Sequence, residues 1–347
     1  MADLSFAYAN SRVNAMKSKL FDRDRMRELM DVGTLDEFIE LLEETQYKPF
    51  FVDASTRYRG LELVKHALDA NFVATLARLS QILPDQSQQV YSVLVRRWEI
   101  NNIKKIIASK AIGKPVSMQD LLPAAGESTA LFEKLIAAKD LPEVLEVLRR
   151  TPYGAAIQGK QADFLKRQGD FRVFLEVLDL HYFNSLLQCL DAARDEFTAG
   201  FIRDQLDFAN ALVVLRMMKS GVTPEKILRH VAVAKGARKL VEQMLAQPDA
   251  AKALEVFVRR KRMSLDAAAT AEVAKGRDAS LSLVEVEVEK ALLAKARRTL
   301  SRGVLSLGVV VSFLHLKQEE VHSLRKIAYA TQFEIKDDLR GRVLSAA

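Results

Sequence analysis

An all-α fold built from three related helical units is predicted by three observations. An acid followed three residues later by an amide, with a Gly eleven residues beyond the amide, occurs as Glu99–Asn102–Gly113 and again as Asp207–Asn210–Gly221. A weaker echo follows at Glu320-Val-His-Ser323, and the three amide-position residues lie 108 and 113 residues apart. Apolar residues recur at helical spacing along the chain, and no segment reads convincingly as a strand. Self-similarity of this length marks a repetitive helical scaffold.

Each element can be justified in chain order. Leu35, Phe38, Ile39 and Leu42 make an i, i+3, i+4, i+7 stripe, with Asp36, Glu37, Glu40 and Glu43 opposite. Gly33 closes the preceding helix and Thr34 is placed to cap this one. Leu141, Val144, Leu145 and Leu148 repeat the stripe, and both copies exit through Thr-x-Tyr, at Thr45–Tyr47 and Thr151–Tyr153. Long helices carry Leu68-Asp69 and Leu178-Asp179, with Val286-Glu287 as a looser third copy. Gly113 ends one helix, Pro115 blocks its continuation, and Ser117 with Asp120 can cap the next. Gly221, Thr223, Pro224 and Glu225 form the matching break. Leu281 to Glu289 alternates like a strand, yet its register with the other long helices predicts helix.

The first unit is degenerate, with Arg12-Val-Asn-Ala-Met-Lys in the place of Asn102-Ile-Lys-Lys-Ile-Ile. The echo from Glu320 to Ile327 supplies the helix that unit lacks, which favours a closed ring or funnel over an open solenoid. We therefore expect a first unit of residues 1–60 plus the C-terminal helices 315–347, a second of 61–160 and a third of 161–314. Units of this size bury their apolar faces by packing on neighbours.

The chain has 347 residues, 49% of them hydrophobic and 28% charged, with only eight Pro. That balance suits a folded, helix-rich chain rather than a disordered one. The single Cys189 leaves no partner for an internal disulfide and suits a reducing cytoplasmic setting. Nothing at the N-terminus reads as a signal peptide. The longest uncharged stretch, Gly303 to Leu316, is shorter than the ~20 residues that span a bilayer. The net charge of +7 gathers at Arg96-Arg97, Lys104-Lys105, Arg259 to Arg262 and Arg297-Arg298. These clusters read as solvated helix faces that could also meet anionic headgroups. No aromatic RNA-binding pattern or zinc-finger spacing accompanies them, so no nucleic-acid partner is expected.

Reactive chemistry is not expected either. His66, His181, His230, His315 and His322 are scattered singly, and neither HExxH nor CxxC occurs. Gly113-Lys114 fails as a phosphate loop, with Ala108 and Pro115 where Gly and Ser or Thr are needed. Cys189 lies in an apolar helical context and reads as core. Neither catalytic nor metal-binding residues, cofactor nor small-molecule substrate is expected. The acid-x-x-amide pairs have two compatible readings. Sharing a helix face, they can tie neighbouring helices by hydrogen bonds, or converge on a cavity and meet a partner helix.

With these residues in view, the chain resembles the C subunit of the archaeal and bacterial V/A-type ATPases, whose eukaryotic counterpart is the d subunit. The resemblance covers essentially the whole chain. It rests on Tyr8-Ala-Asn-Ser-Arg12-Val-Asn-Ala-Met-Lys-Ser-Lys-Leu20, Gly33-Thr-Leu-Asp-Glu-Phe, Leu42-Glu-Glu-Thr45-Gln-Tyr47, Trp98-Glu99-Ile-Asn-Asn102-Ile-Lys-Lys, and Leu305-Ser-Leu-Gly308 leading to Glu320-Val-His-Ser-Leu-Arg325. The chain departs from the family at Ser323, usually Asn, and at Val304 and Val309, usually Pro. Leu122-Pro123-Ala-Ala-Gly126 stands where a Pro-Gly-Gly turn is common.

The resemblance implies an all-α, funnel-shaped protein with pseudo-threefold symmetry and no catalytic role, part of an ATP-driven or ATP-synthesising ion-translocating complex. It would be a cytoplasmic central-stalk protein, peripheral to the membrane. Its partners would be the D and F subunits of the rotor shaft and the membrane proteolipid ring. Residues implied for shaft contact are Glu99 and Asn102, Asp207 and Asn210, and Glu320 and Lys326. The alternative reading is a helical-repeat adaptor that binds another protein on a concave face.

Overall fold

The computed structural model describes residues 4–335, except 124–126, 167–168, 193–195, 232–236, 276–280 and 303–304. Every regular element among the described residues is helical. The strand-like alternation from Leu281 to Glu289 is the start of a 20-residue helix. Val304 and Gly126, two of the positions where the chain departs from the family pattern, lie outside the described residues.

The chain divides into two compact units. One holds Met1–Asp85, Asp195–Pro224 and Ala237–Ala347; the other holds Gln86–Arg194 and Glu225–Gly236. The first begins with α1 (Ala7–Lys17), α2 (Arg23–Asp31), α3 (Leu35–Glu43), α4 (Lys48–Ala54) and α5 (Gly60–Ile82). The second is built from α6 (Asp85–Ala111), α7 (Glu127–Ala137), α8 (Leu141–Arg149), α9 (Gly154–Gln158), α10 (Gln161–Lys166) and α11 (Arg172–Ala192). The chain then runs through α12 (Glu196–Lys219), α13 (Pro224–Ile227), α14 (Ala237–Leu245), α15 (Ala250–Lys261), α16 (Ala267–Ala274), α17 (Ser282–Ser301) and α18 (Leu307–Gln332).

The short helices form for local reasons. Thr34 caps α3 in a full capping box with Glu37, and the same Glu carboxylate accepts from the Gly33 amide at 2.7 Å. Asp140 caps α8 and Asp249 caps α15 in the same way, each accepting from the amide three residues on. Leu35, Phe38 and Leu42 are buried in α3, and Leu141, Val144, Leu145 and Leu148 in α8. Ile39 is only half-buried. Helix α15 carries the same stripe as Ala250, Ala253, Leu254 and Phe257. Two alanines mute its hydrophobic signal, which is why periodicity alone passes over it.

At the centre of the first unit is α18, which packs against α17, α5, α12, α1, α2 and α3. Its first eight residues are all buried, as expected of a helix that is apolar on every side. The N-terminal α1 lies against both α18 and α5.

The repeat is sharpest where three helices end. Counting from Asn102, Asn210 and Ser323, helices α6, α12 and α18 each stop nine residues on. Two residues later comes a left-handed residue: Gly113 (φ 69°), Gly221 (φ 70°) and Glu334 (φ 56°). The following amide then reaches back five residues: Lys114 to Ser109, Val222 to Met217 and Ile335 to Ala330, at 2.9–3.0 Å. The first two are Schellman ends, in which Gly113 and Gly221 also donate to Lys110 and Met218, and the third shares their left-handed residue and five-residue bond, a geometry that favours Gly. A left-handed L-residue costs about 1–2 kcal/mol, partly offset by the chain entropy that Gly would add to the unfolded state. Glu334→Gly is therefore expected to stabilise the chain by about 0.5–1 kcal/mol in a denaturant melt. An unchanged or lower midpoint would refute the shared ending.

Candidate functional site

The helices that carry the candidate residues are positioned by a common set of bonds. In the second unit, Glu99 on α6 accepts from the Tyr153 hydroxyl at 2.5 Å and from Ser128 at 2.6 Å. Three residues on, Asn102 pairs with the backbone of Leu122 through both amide atoms, donating at 2.9 Å and accepting at 3.0 Å. Two residues further, Lys104 reaches Asp179 on α11 at 2.7 Å. One helix is thus pinned at three successive points to the segments that follow it.

Helix α18 in the first unit repeats this scheme with segments from the opposite end of the chain. Glu320 accepts from the Tyr47 hydroxyl at 2.7 Å, from Lys317 at 2.7 Å and from the Phe21 amide at 2.6 Å. Arg325, two residues past Ser323, pairs with Asp69 on α5. Thr-x-Tyr and Leu-Asp, which read in the sequence as a helix exit and a long-helix marker, are the partners of the acid and of the cation. Ser323 has lost the amide and instead donates to Glu319 at 3.3 Å.

Helix α12 shows a variant. Where α3 and α8 end, α15 continues for about one more turn, and its Lys261 bridges Asp204 at 2.8 Å and Asp207. Asp204 also takes Lys295 from α17. A Lys thus replaces the Tyr as donor to the repeat acid. Asn210 is buried to the same degree as Asn102, at 3% and 7% exposure.

Burial sets the electrostatics. The Tyr47 phenol is held well above its usual pKa, by desolvation first and then by the Glu320 carboxylate. Burial lowers the Lys317 ammonium, and Glu320 works against that shift. Burial likewise raises the Tyr153 phenol, with Glu99 adding to the effect. The Glu319 carboxyl is pushed up to about 8, chiefly by desolvation, then by the facing Glu289 carboxyl.

The six candidate residues therefore sit on three helices of one design. Glu99, Asp207 and Glu320 hold bonds within their own unit, as does Asn102. Lys326 differs: it is 42% exposed, with its Nζ 3.7 Å from Glu319 Oε1. The donors Tyr47, Tyr153, Lys261 and Lys317 were passed over in the sequence. The recurrence of Thr-x-Tyr was the signal that could have marked the two tyrosines as repeat residues.

The chain matches the ATP synthase (C/AC39) subunit family over residues 9–341. Similar proteins include the A-type ATP synthase C subunit of Thermococcus kodakarensis, 26% identical over 92% of this chain and 85% of that protein. The C subunit of Methanosarcina acetivorans is 26% identical over 96% and 91% respectively. That of Desulfurococcus sp. is 27% identical over 93% and 86%. A match that runs through all three repeat helices, from the first turn of α1 to beyond α18, makes this chain a member of the ATP synthase (C/AC39) subunit family.

Proposed function

We propose that this protein is the central-stalk component of a rotary A-type ATP synthase or V/A-type ATPase. It acts as a socket that couples the rotor shaft to the membrane proteolipid ring and transmits torque without catalysing a reaction itself. The family match along nearly the whole chain is the observation that carries this reading. The absence, among the described residues, of a helix long and apolar enough to cross a membrane is compatible with a peripheral position. In this reading α6, α12 and α18 are the helices that meet the shaft.

The pinning bonds suit such a role. Torque is lost wherever helices slip, and a helix anchored through Glu99, Asn102 and Lys104, or through Glu320 and Arg325, resists rotation about its own axis. Glu99, Asn102, Asp207, Asn210 and Glu320 then set the stiffness and orientation of the shaft-facing helices. Lys326 is the residue among the six best placed for direct contact.

The test is capture of the shaft and ring proteins from detergent-solubilised membranes by the folded chain, read by mass spectrometry. The D and F shaft subunits and the proteolipid are expected in the eluate. A well-folded chain that recovers neither shaft nor ring refutes the socket. Lys326→Gln is expected to lower capture of the shaft several-fold with the fold checked by its melting curve, and unchanged capture would refute direct contact by Lys326.

A further inference from the structure

We infer that Glu289, Glu319 and His322 form a binding site for one divalent transition-metal cation of the zinc class. Glu319 and His322 are three residues apart on α18 and share a face. In the dinuclear sites of helix bundles, Glu-x-x-His pairs on two helices face Glu residues of two others; one such pair with one facing Glu supplies three donors for a single ion. The neighbouring helix here is α17, the most extensively packed partner of α18, and it supplies Glu289. One ligand atom from each of the three residues lies within 4.8 Å of the other two.

The surroundings favour a bound cation over a simple ion pair. Two carboxyl groups face each other, and the Glu319 side chain is only 7% exposed. His322 Nδ1 is 3.8 Å and Lys326 Nζ 3.7 Å from Glu319, both beyond hydrogen-bonding distance, while Lys17 and Arg297 line the same cavity as Glu319. The Ser323 hydroxyl donates weakly to the same carboxyl at 3.3 Å. A zinc ion with ligands at about 2.0–2.2 Å needs the three donors drawn together by about 1 Å. Rotation of the half-exposed Glu289 and His322 side chains supplies that movement, while Glu319 stays anchored. His322 is 44% exposed, so the ion reaches the site from solvent and keeps water as a further ligand. Lys326 is the competing charge, and its 42% exposure lets it swing outward. The sequence conceals the site because one ligand comes from a different helix, thirty residues earlier.

The test is calorimetric titration of Zn²⁺ into the untagged, chelator-stripped full-length chain, repeated with Co²⁺ and followed by visible absorption. One ion per chain is expected, with a d–d band for Co²⁺ and a raised melting temperature. Glu289→Gln and His322→Ala are each expected to weaken binding at least about tenfold, the scale of effect seen even for residues that only support a metal's ligands. Lys326→Met is expected to tighten it. Glu289→Gln keeps a hydrogen bond to Glu319. If a shared proton alone joins the carboxyls, wild type and this variant will therefore respond identically to Zn²⁺. That outcome, or the lack of one-to-one uptake, overturns the proposal.

Discussion

Glu320→Ala is expected to destabilise the chain by about 3–5 kcal/mol, the cost of leaving a buried ionic partner uncompensated. Lys317 is 2% exposed, and its ammonium is held by Glu320 and the Tyr47 hydroxyl, with its Nζ 4.3 Å from the centre of the Tyr47 ring. Removing the carboxylate strands that charge, together with the Tyr47 hydroxyl proton and the Phe21 amide. It also cuts the tie between α18 and the N-terminal segment. The measurement is the urea midpoint of the full chain. The paired substitution Lys317→Met with Glu320→Leu is expected to recover only part of the loss, because it removes the stranded charge but still leaves the Tyr47 hydroxyl and the Phe21 amide without their acceptor. If Glu320→Ala melts like the wild type, the Lys317–Glu320 pair is not buried and the bonds of Glu320 to Tyr47 and Phe21 are wrong.

Gly154→Ala is expected to have the second-largest effect, a loss of at least about 1–3 kcal/mol as for overpacked cores. Gly154 opens α9 directly after Tyr153. A Cβ there would meet the Arg149 carbonyl oxygen at 2.1 Å and its carbon at 2.8 Å. Those are backbone atoms at the end of α8, so no side-chain rotation relieves the clash and either α8 or α9 must move. Movement at this point shifts Tyr153, the donor to Glu99, and frees α6 at its first pin. The prediction is checked by thermal melting together with hydrogen exchange at α6, where amide protection is expected to fall most. Preserved protection across α6 would show that Tyr153 does not hold that helix.

Much of the local structure was legible in the residues themselves. The cap at Thr34 and the Gly113 and Gly221 endings are set by bonds between residues within six positions of one another, and the stripes of α3 and α8 show in their helical spacing. Helical periodicity and capping need nothing from the rest of the chain, so sequence pattern suffices to read them. The third ending was hidden because Glu334 occupies a left-handed position that Gly normally marks. The α15 stripe was hidden by its alanines.

The roles of the acids were not legible. Glu99 and Glu320 look alike in the sequence, yet one finds its tyrosine 54 residues ahead and the other 273 residues behind. Asp207 takes Lys261 instead, because α15 is longer than its counterparts. From the sequence alone, the all-α class, the three-fold repetition of the acid-bearing helix, the Thr34 cap and the Gly-marked endings at Gly113 and Gly221, and the family resemblance were determined. The tertiary structure alone decided which acid each donor serves and that Glu289 faces Glu319 and His322. The physical reason is one of range: helices form by contacts along the chain, whereas the pairing of buried charges depends on which faces come together when those helices pack.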